Sequence, residues 1–164
     1  MRTSFIQTSI CLGLFVATGC SKAVINLDGE VNGKSVNGSA HWGGPHIIFT
    51  DSDMGCQSVD WVQLSYGASD QVDLLTDDSF AALQITYKGT DVVEGTAQIP
   101  PTNAWFIESD DGTGTITDGA TGNIDLEFDG DWLIGEIDVS FGEAGQISGD
   151  FEIENCVNLK SIED

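Results

Sequence analysis

Residues 122 to 156 read GNIDLEFDGDWLIGEIDVSFGEAGQISGDFEIENC. Three segments share one form, a glycine followed by alternating acidic or polar and apolar residues: GNIDLEF from Gly122, GEIDVSF from Gly135 and GDFEIEN from Gly149. Ile124, Leu126 and Phe128, then Ile137, Val139 and Phe141, then Phe151 and Ile153 fall on one phase. Asp125, Glu127, Glu136, Asp138, Asp150, Glu152 and Glu154 fall on the other. Side chains point to alternate faces only in a strand, so this pattern demands strands with one dry and one wet face. The segments recur every 13 to 14 residues. That is too short for a solenoid repeat and suits a closing three-strand antiparallel meander.

The rest of the chain extends the reading. Glycine is frequent (20 residues) and proline rare (3). Asp28-Gly29, Asn32-Gly33, Asn37-Gly38, Asp111-Gly112, Asp118-Gly119 and Asp129-Gly130 are turn dipeptides, because glycine and asparagine supply the positive φ of tight hairpins. Between them, Leu83, Ile85 and Tyr87 alternate with Gln84 and Thr86, and Val93, Ala97 and Ile99 with Glu94, Thr96 and Gln98. These are expected to be half-buried strands. Pro100-Pro101 must interrupt pairing, which predicts a crossover between sheets. A short helix is allowed over MGCQSVDWVQL, with Ser52 or Asp53 as its cap. The expected fold is all-β: an antiparallel β-sandwich or partly open barrel of about ten strands, with at most one short helix.

The amino terminus follows a different logic. Met1 and Arg2 precede an apolar run from about Phe5 to Ala17. About 13 helical residues reach ~20 Å, short of the ~30 Å hydrocarbon core of a bilayer. A secretory h-region fits better than a spanning helix. The run ends in Val16-Ala17-Thr18-Gly19-Cys20. This resembles the bacterial lipobox, in which small residues precede an obligatory cysteine. The resemblance implies that Cys20 carries a diacylglyceryl group and becomes the first mature residue. Ser21 in place of aspartate then implies export to the outer membrane of a Gram-negative cell. A conventional signal peptide with Cys20 as a spare thiol is the alternative. On the lipobox reading, residues 1–19 are a signal peptide, 20–28 a lipidated terminus and short tether, and 29–164 a single β domain.

Cys11 leaves with the leader and Cys20 is blocked by lipid. Cys56 and Cys156 remain as one pair in an oxidising compartment, where a disulfide is the default. Closing a loop of ~100 residues contributes up to about 4.7 kcal/mol in the chain-entropy account. Cys156 falls on the outward phase of its strand, so a buried disulfide requires the strand to end or bulge near Asn155.

The chain carries 27 acids and a formal net charge of −22. After Cys20 only Lys22, Lys34, Lys88 and Lys160 oppose them. Nucleic acid and anionic lipid are repelled by such a chain. Cationic partners are allowed: metal ions, basic envelope proteins, amine-bearing glycans. Scattered acids with few lysines also suit a protein that stays soluble in a salty environment, where salt screens self-repulsion.

The lipobox, the segment VNGKSVNGSAHW, a mid-chain cysteine after an acidic turn and the closing G-x-I-x-G-x-F-x-x-x-x-C from Gly145 to Cys156 together resemble uncharacterised lipoproteins of Gram-negative bacteria. The resemblance implies a fold and a location and brings no activity with it. Calcium wants several oxygen ligands. Asp51 and Asp53, Asp110 and Asp111, and Asp129 and Asp131 are candidates, though none has EF-hand spacing. His41 and His46, in HWGGPH, can join Asp51 or Asp53 at a transition metal. Trp42, Trp61, Trp105 and Trp132 can stack on sugars or simply pack the core. A hydrolase needs two convergent carboxylates. No G-x-S-x-G, H-E-x-x-H or P-loop is present. The expected function is therefore a lipid-anchored, non-enzymatic structural or interaction module of the outer membrane, needing no cofactor. A calcium- or carbohydrate-binding sandwich and an acid-pair hydrolase are the alternatives.

Overall fold

The computed structural model describes residues 23–52, 71–73, 79–110 and 113–155. The leader, Cys20, Asp53, the candidate helix, Cys56, Trp61, Asp111 and Cys156 lie outside these residues. The described chain forms β1 (Val24–Val31), β2 (Ser39–Gly43), β3 (His46–Thr50), β4 (Gln71–Asp73), β5 (Phe80–Thr86), β6 (Gly95–Ile99), β7 (Asn103–Asp110), β8 (Thr113–Thr117), β9 (Thr121–Asp129), β10 (Trp132–Ser140) and β11 (Gly145–Glu154). A 3₁₀ turn, Gly142–Ala144, joins the last two.

Two antiparallel sheets face each other and do not close into a barrel. The acidic sheet has the order β1-β11-β10-β9-β6. The second runs β2-β3-β5-β7-β8, with the three-residue β4 at its far edge. The meander β9-β10-β11 forms as its alternation demands. Ile124, Leu126, Ile137, Val139, Phe151 and Ile153 are buried, and Asp125, Glu127, Glu136, Asp138, Asp150, Glu152 and Glu154 are exposed. Trp132 pairs with Asp129, leaving the two-residue loop Gly130-Asp131. Gly130 takes a φ of 64° at the first loop position, as a type II′ hairpin requires.

The inner faces meet in one core. Phe49 and Phe151 approach from opposite sheets at 5.0 Å and 71°, and Phe106 meets Phe141 at 6.2 Å and 67°. Both are edge-on geometries, in which a positive ring edge meets a negative ring face. The two sheets also touch at a corner: Trp42 of β2 bridges Asn155, just past the end of β11. The strand stops at Glu154.

The crossover expected at Pro100-Pro101 is present, since β6 belongs to the acidic sheet and β7 to the other. Two details differ from the alternation. Val93 lies before β6 and is exposed. Gln84, expected to face water, is 1 % exposed, and its strand-mates Ala82 and Phe80 are buried beside it. Ile48, Trp105 and Ile107 share that outer face and are also buried. The central strands β3 and β5 are dry on both sides, and the runs HIIFT and FAALQIT carry the near-continuous apolar signature of such strands.

β1 begins at Val24, within the stretch read as a tether, and Ala23 and Ile25 pack partly against the core. Beyond β1 the chain folds back over its own edge. Asn32 (φ 53°) and Gly33 (φ 77°) make a type I′ turn, closed by paired hydrogen bonds between Val31 and Lys34 at 3.0 Å.

Candidate functional site

The outer face of the acidic sheet gathers the carboxylates. Strand register places them in rows across the sheet. Glu136 lies directly opposite Asp125 on one side and Asp150 on the other. The row ends in neutral donors: Thr96 Oγ1 donates to Asp125 at 3.1 Å, and Asn26 Nδ2 donates to Asp150 at 2.8 Å. One row nearer the Asp129 end, Ile134 sits between Glu127 and Glu152 and is 37 % exposed. Beyond it Trp132 sits between Asp129 and Glu154. In the other direction, Asp138 and Asp28 share a row with Ser148, and Glu30 lies opposite Gln146. No lysine, arginine or histidine occupies an outward position of these strands.

Like charges held directly opposite on paired strands are destabilising by roughly 0.2–1 kcal/mol each. The Asp125–Glu136–Asp150 row holds two such juxtapositions, and no cation within the sheet relieves them. A shallow depression of about 460 Å³ opens over this row and the next, lined by Glu94, Asp125, Glu127, Ile134, Glu136 and Asp150. The surface can attract cations over a wide area, with one apolar contact at its centre. It does not enclose a small substrate.

The proposed calcium ligands are spread over the molecule. Asp51 follows Thr50, which pairs with Ser39 at one end of the β2–β3 hairpin. Asp129 and Asp131 lie at the β9–β10 turn, where Asn155 donates to the Asp131 carbonyl at 2.9 Å and bridges Trp42. Among the described residues no three histidine, cysteine or carboxylate side chains converge as a metal site would require. His41 and His46 share a face of the second sheet, but Asp51 is a strand length from His46, about 16 Å. His46 is half-buried, and Thr86 Oγ1 lies 2.9 Å from its Nδ1. Burial holds its pKa below the ordinary histidine value.

The described tryptophans do not form a platform. Trp105 is buried. Trp42 is half-buried and tilts against Phe128 at 5.2 Å. Trp132 stands alone on the acidic face between two carboxylates. The indole Nε1 of Trp42, the Tyr87 hydroxyl and Gln84 Oε1 are buried without a hydrogen-bond partner. Burial pushes the Tyr87 pKa up to about 12.

Sequence reasoning had the outward acids but not the depression. Its signal was Ile134, the one apolar residue on the outward phase of WLIGEIDVS apart from Trp132. Comparison with known proteins found no matching family model, no matching curated protein and no matching solved structure.

Proposed function

We propose that the protein is a non-enzymatic interaction module of the cell envelope, anchored at the outer membrane by lipid on Cys20, that presents the outer face of its acidic sheet to a cationic envelope partner. The observation that carries this reading is the Asp125–Glu136–Asp150 row. Its carboxylates are opposed across paired strands with no basic neighbour on the sheet. A chain that only needed solubility gains nothing from placing acids directly opposite each other, whereas a basic partner converts that repulsion into attraction. A hydrolase reading gets no comparable support, because these carboxylates lie on an open face that water reaches freely.

The anchor is tested by mass spectrometry of the native protein and by the membrane partition of Cys20→Ser. The lipid reading fails if the native protein is unmodified or if the Cys20→Ser protein partitions unchanged. The face is tested by titrating oligolysine against the wild type and Glu136→Lys. Tighter binding to the wild type at low salt, lost at high salt, supports the reading. Equal binding to both proteins overturns it.

A further inference from the structure

An apolar ridge runs along the middle of the acidic face. Trp132 and Ile134 occupy successive outward positions of β10, the central strand of its sheet, about 6.7 Å apart. Ile134 is exposed and Trp132 half-exposed, and Val24, opposite Glu152 in the Ile134 row, is exposed as well. Apolar side chains scattered singly over a surface are ordinary, but these two adjoin on the most charged face of the domain.

The carboxylates on either side say what covers the ridge. β9 lines one flank with Asp129 and Glu127, and β11 lines the other with Glu154 and Glu152. Each flank lies one strand spacing from β10, so the two acid columns stand roughly 9.6 Å apart. An α-helix is about 10 Å across, carries an apolar stripe along one side and can bear cations on both edges of that stripe. Helical residues four apart rise about 6 Å, close to the spacing of the rows. An extended strand aims alternate side chains along a single line, and so reaches the ridge or one acid column but not all three. A polyamine or an amine-bearing glycan meets the acids and leaves Trp132 and Ile134 in water.

We propose that this face docks a basic amphipathic helix of a partner polypeptide, laid along β10 with its apolar stripe on Trp132 and Ile134. Its lysines or arginines reach the β9 carboxylates on one side and the β11 carboxylates on the other. Their aliphatic stems cover the flanks of the ridge while their charged heads stay with the acids, and an arginine can also stack on the Trp132 indole. This rests on the cationic-partner reading of the same face and adds the partner's shape and its apolar component.

The test titrates the full-length protein with two synthetic peptides of about 18 residues, long enough to form a helix. Both contain the same leucines and lysines. In one the leucines follow helical spacing and form a stripe; in the other they are scrambled around the helix. The ordered peptide should bind the wild type roughly tenfold more tightly at low salt, with a gain of helical circular dichroism. Ile134→Thr should reduce that ratio, and Trp132→Thr with Ile134→Thr should bring it close to one, although every carboxylate remains in place. Equal affinities for the wild type, a ratio that survives the double substitution, or binding without a gain of helix overturns the inference and leaves the cationic reading intact. If neither peptide binds at low salt, both fail.

Discussion

The side-chain amide of Asn37 closes the backbone of Leu27. Asn37 Oδ1 accepts from the Leu27 N–H at 3.1 Å, and its Nδ2 donates to the Leu27 carbonyl at 2.6 Å. β1 is the edge of the acidic sheet, and an open edge offers unpaired peptide groups to any passing strand. Here one amide side chain imitates the peptide of a neighbouring strand. Further along the same edge, the turn after Val31 occupies the outward peptide groups of Val31 through Lys34.

Asn37→Ala should therefore lower stability by about 1–2 kcal/mol, the sum expected for two net hydrogen bonds on a part-buried edge. It should also raise self-association, read by light scattering. A variant as stable and as monomeric as the wild type would mean that the edge is protected in another way.

The opposed carboxylates predict an unusual gain. Glu136→Lys places a cation between Asp125 and Asp150 and should raise the unfolding free energy by about 0.5–1 kcal/mol at low ionic strength. Added sodium chloride should raise the melting temperature of the wild type and shrink the difference between the two proteins. Salt-independent melting of both would argue that the row is not under repulsion.

Gly135 is a packing requirement. A Cβ built there meets Phe151 Cζ at 2.6 Å and the Asp125 carbonyl oxygen at 2.7 Å. Gly135→Ala should cost about 1–3 kcal/mol by overpacking. Because part of the clash is with the flat ring of Phe151, adding Phe151→Leu should cost less in the Gly135→Ala background than in the wild type. Strict additivity in a denaturation series would contradict the contact.

The half-buried His46 and the buried Tyr87 give stability a pH dependence. Burial lowers the folded-state pKa of His46, so the unfolded chain binds the proton more readily. The stability associated with neutral His46 is complete above its unfolded value of about 6.5 and is lost as pH falls through the lower folded value. His46→Gln should flatten that part of a stability–pH curve, which separates the histidine from the carboxylates. Tyr87 acts at the other extreme. Its folded pKa is raised to about 12, so its contribution is complete below about 10 and is lost as pH rises through the folded value. Tyr87→Phe should abolish that alkaline loss. It should also be neutral or stabilising by about 1 kcal/mol at pH 7, because the hydroxyl has no partner to lose.

The meander was legible because Ile137 and Glu136 obey opposite phases of one strand, and a strand with one wet face writes that alternation directly into sequence. The second sheet was legible as strands but not in its burial. Gln84 looks like a solvent-facing polar residue, and only the tertiary cover of both faces of its sheet makes it a buried one. The Asn32-Gly33 turn could be read from its dipeptide. The role of Asn37 could not, because its partner Leu27 precedes it in a different element and the bond depends on how the chain folds back. The acid rows lay between these cases. Alternation gave the face of each carboxylate, but opposition of Glu136 to both Asp125 and Asp150 follows from register, which turn lengths and the 3₁₀ connection fix.

The first described strand pairs with the last: Val24 lies against Glu152 and Val31 against Gly145. Nothing synthesised in between can complete the acidic sheet, which stays unsealed along β1 until β11 has been made. Such distant closure slows folding. A version cut after Ser140 should accordingly remain protease-sensitive throughout, and a truncated chain that resists digestion would refute this dependence on late closure.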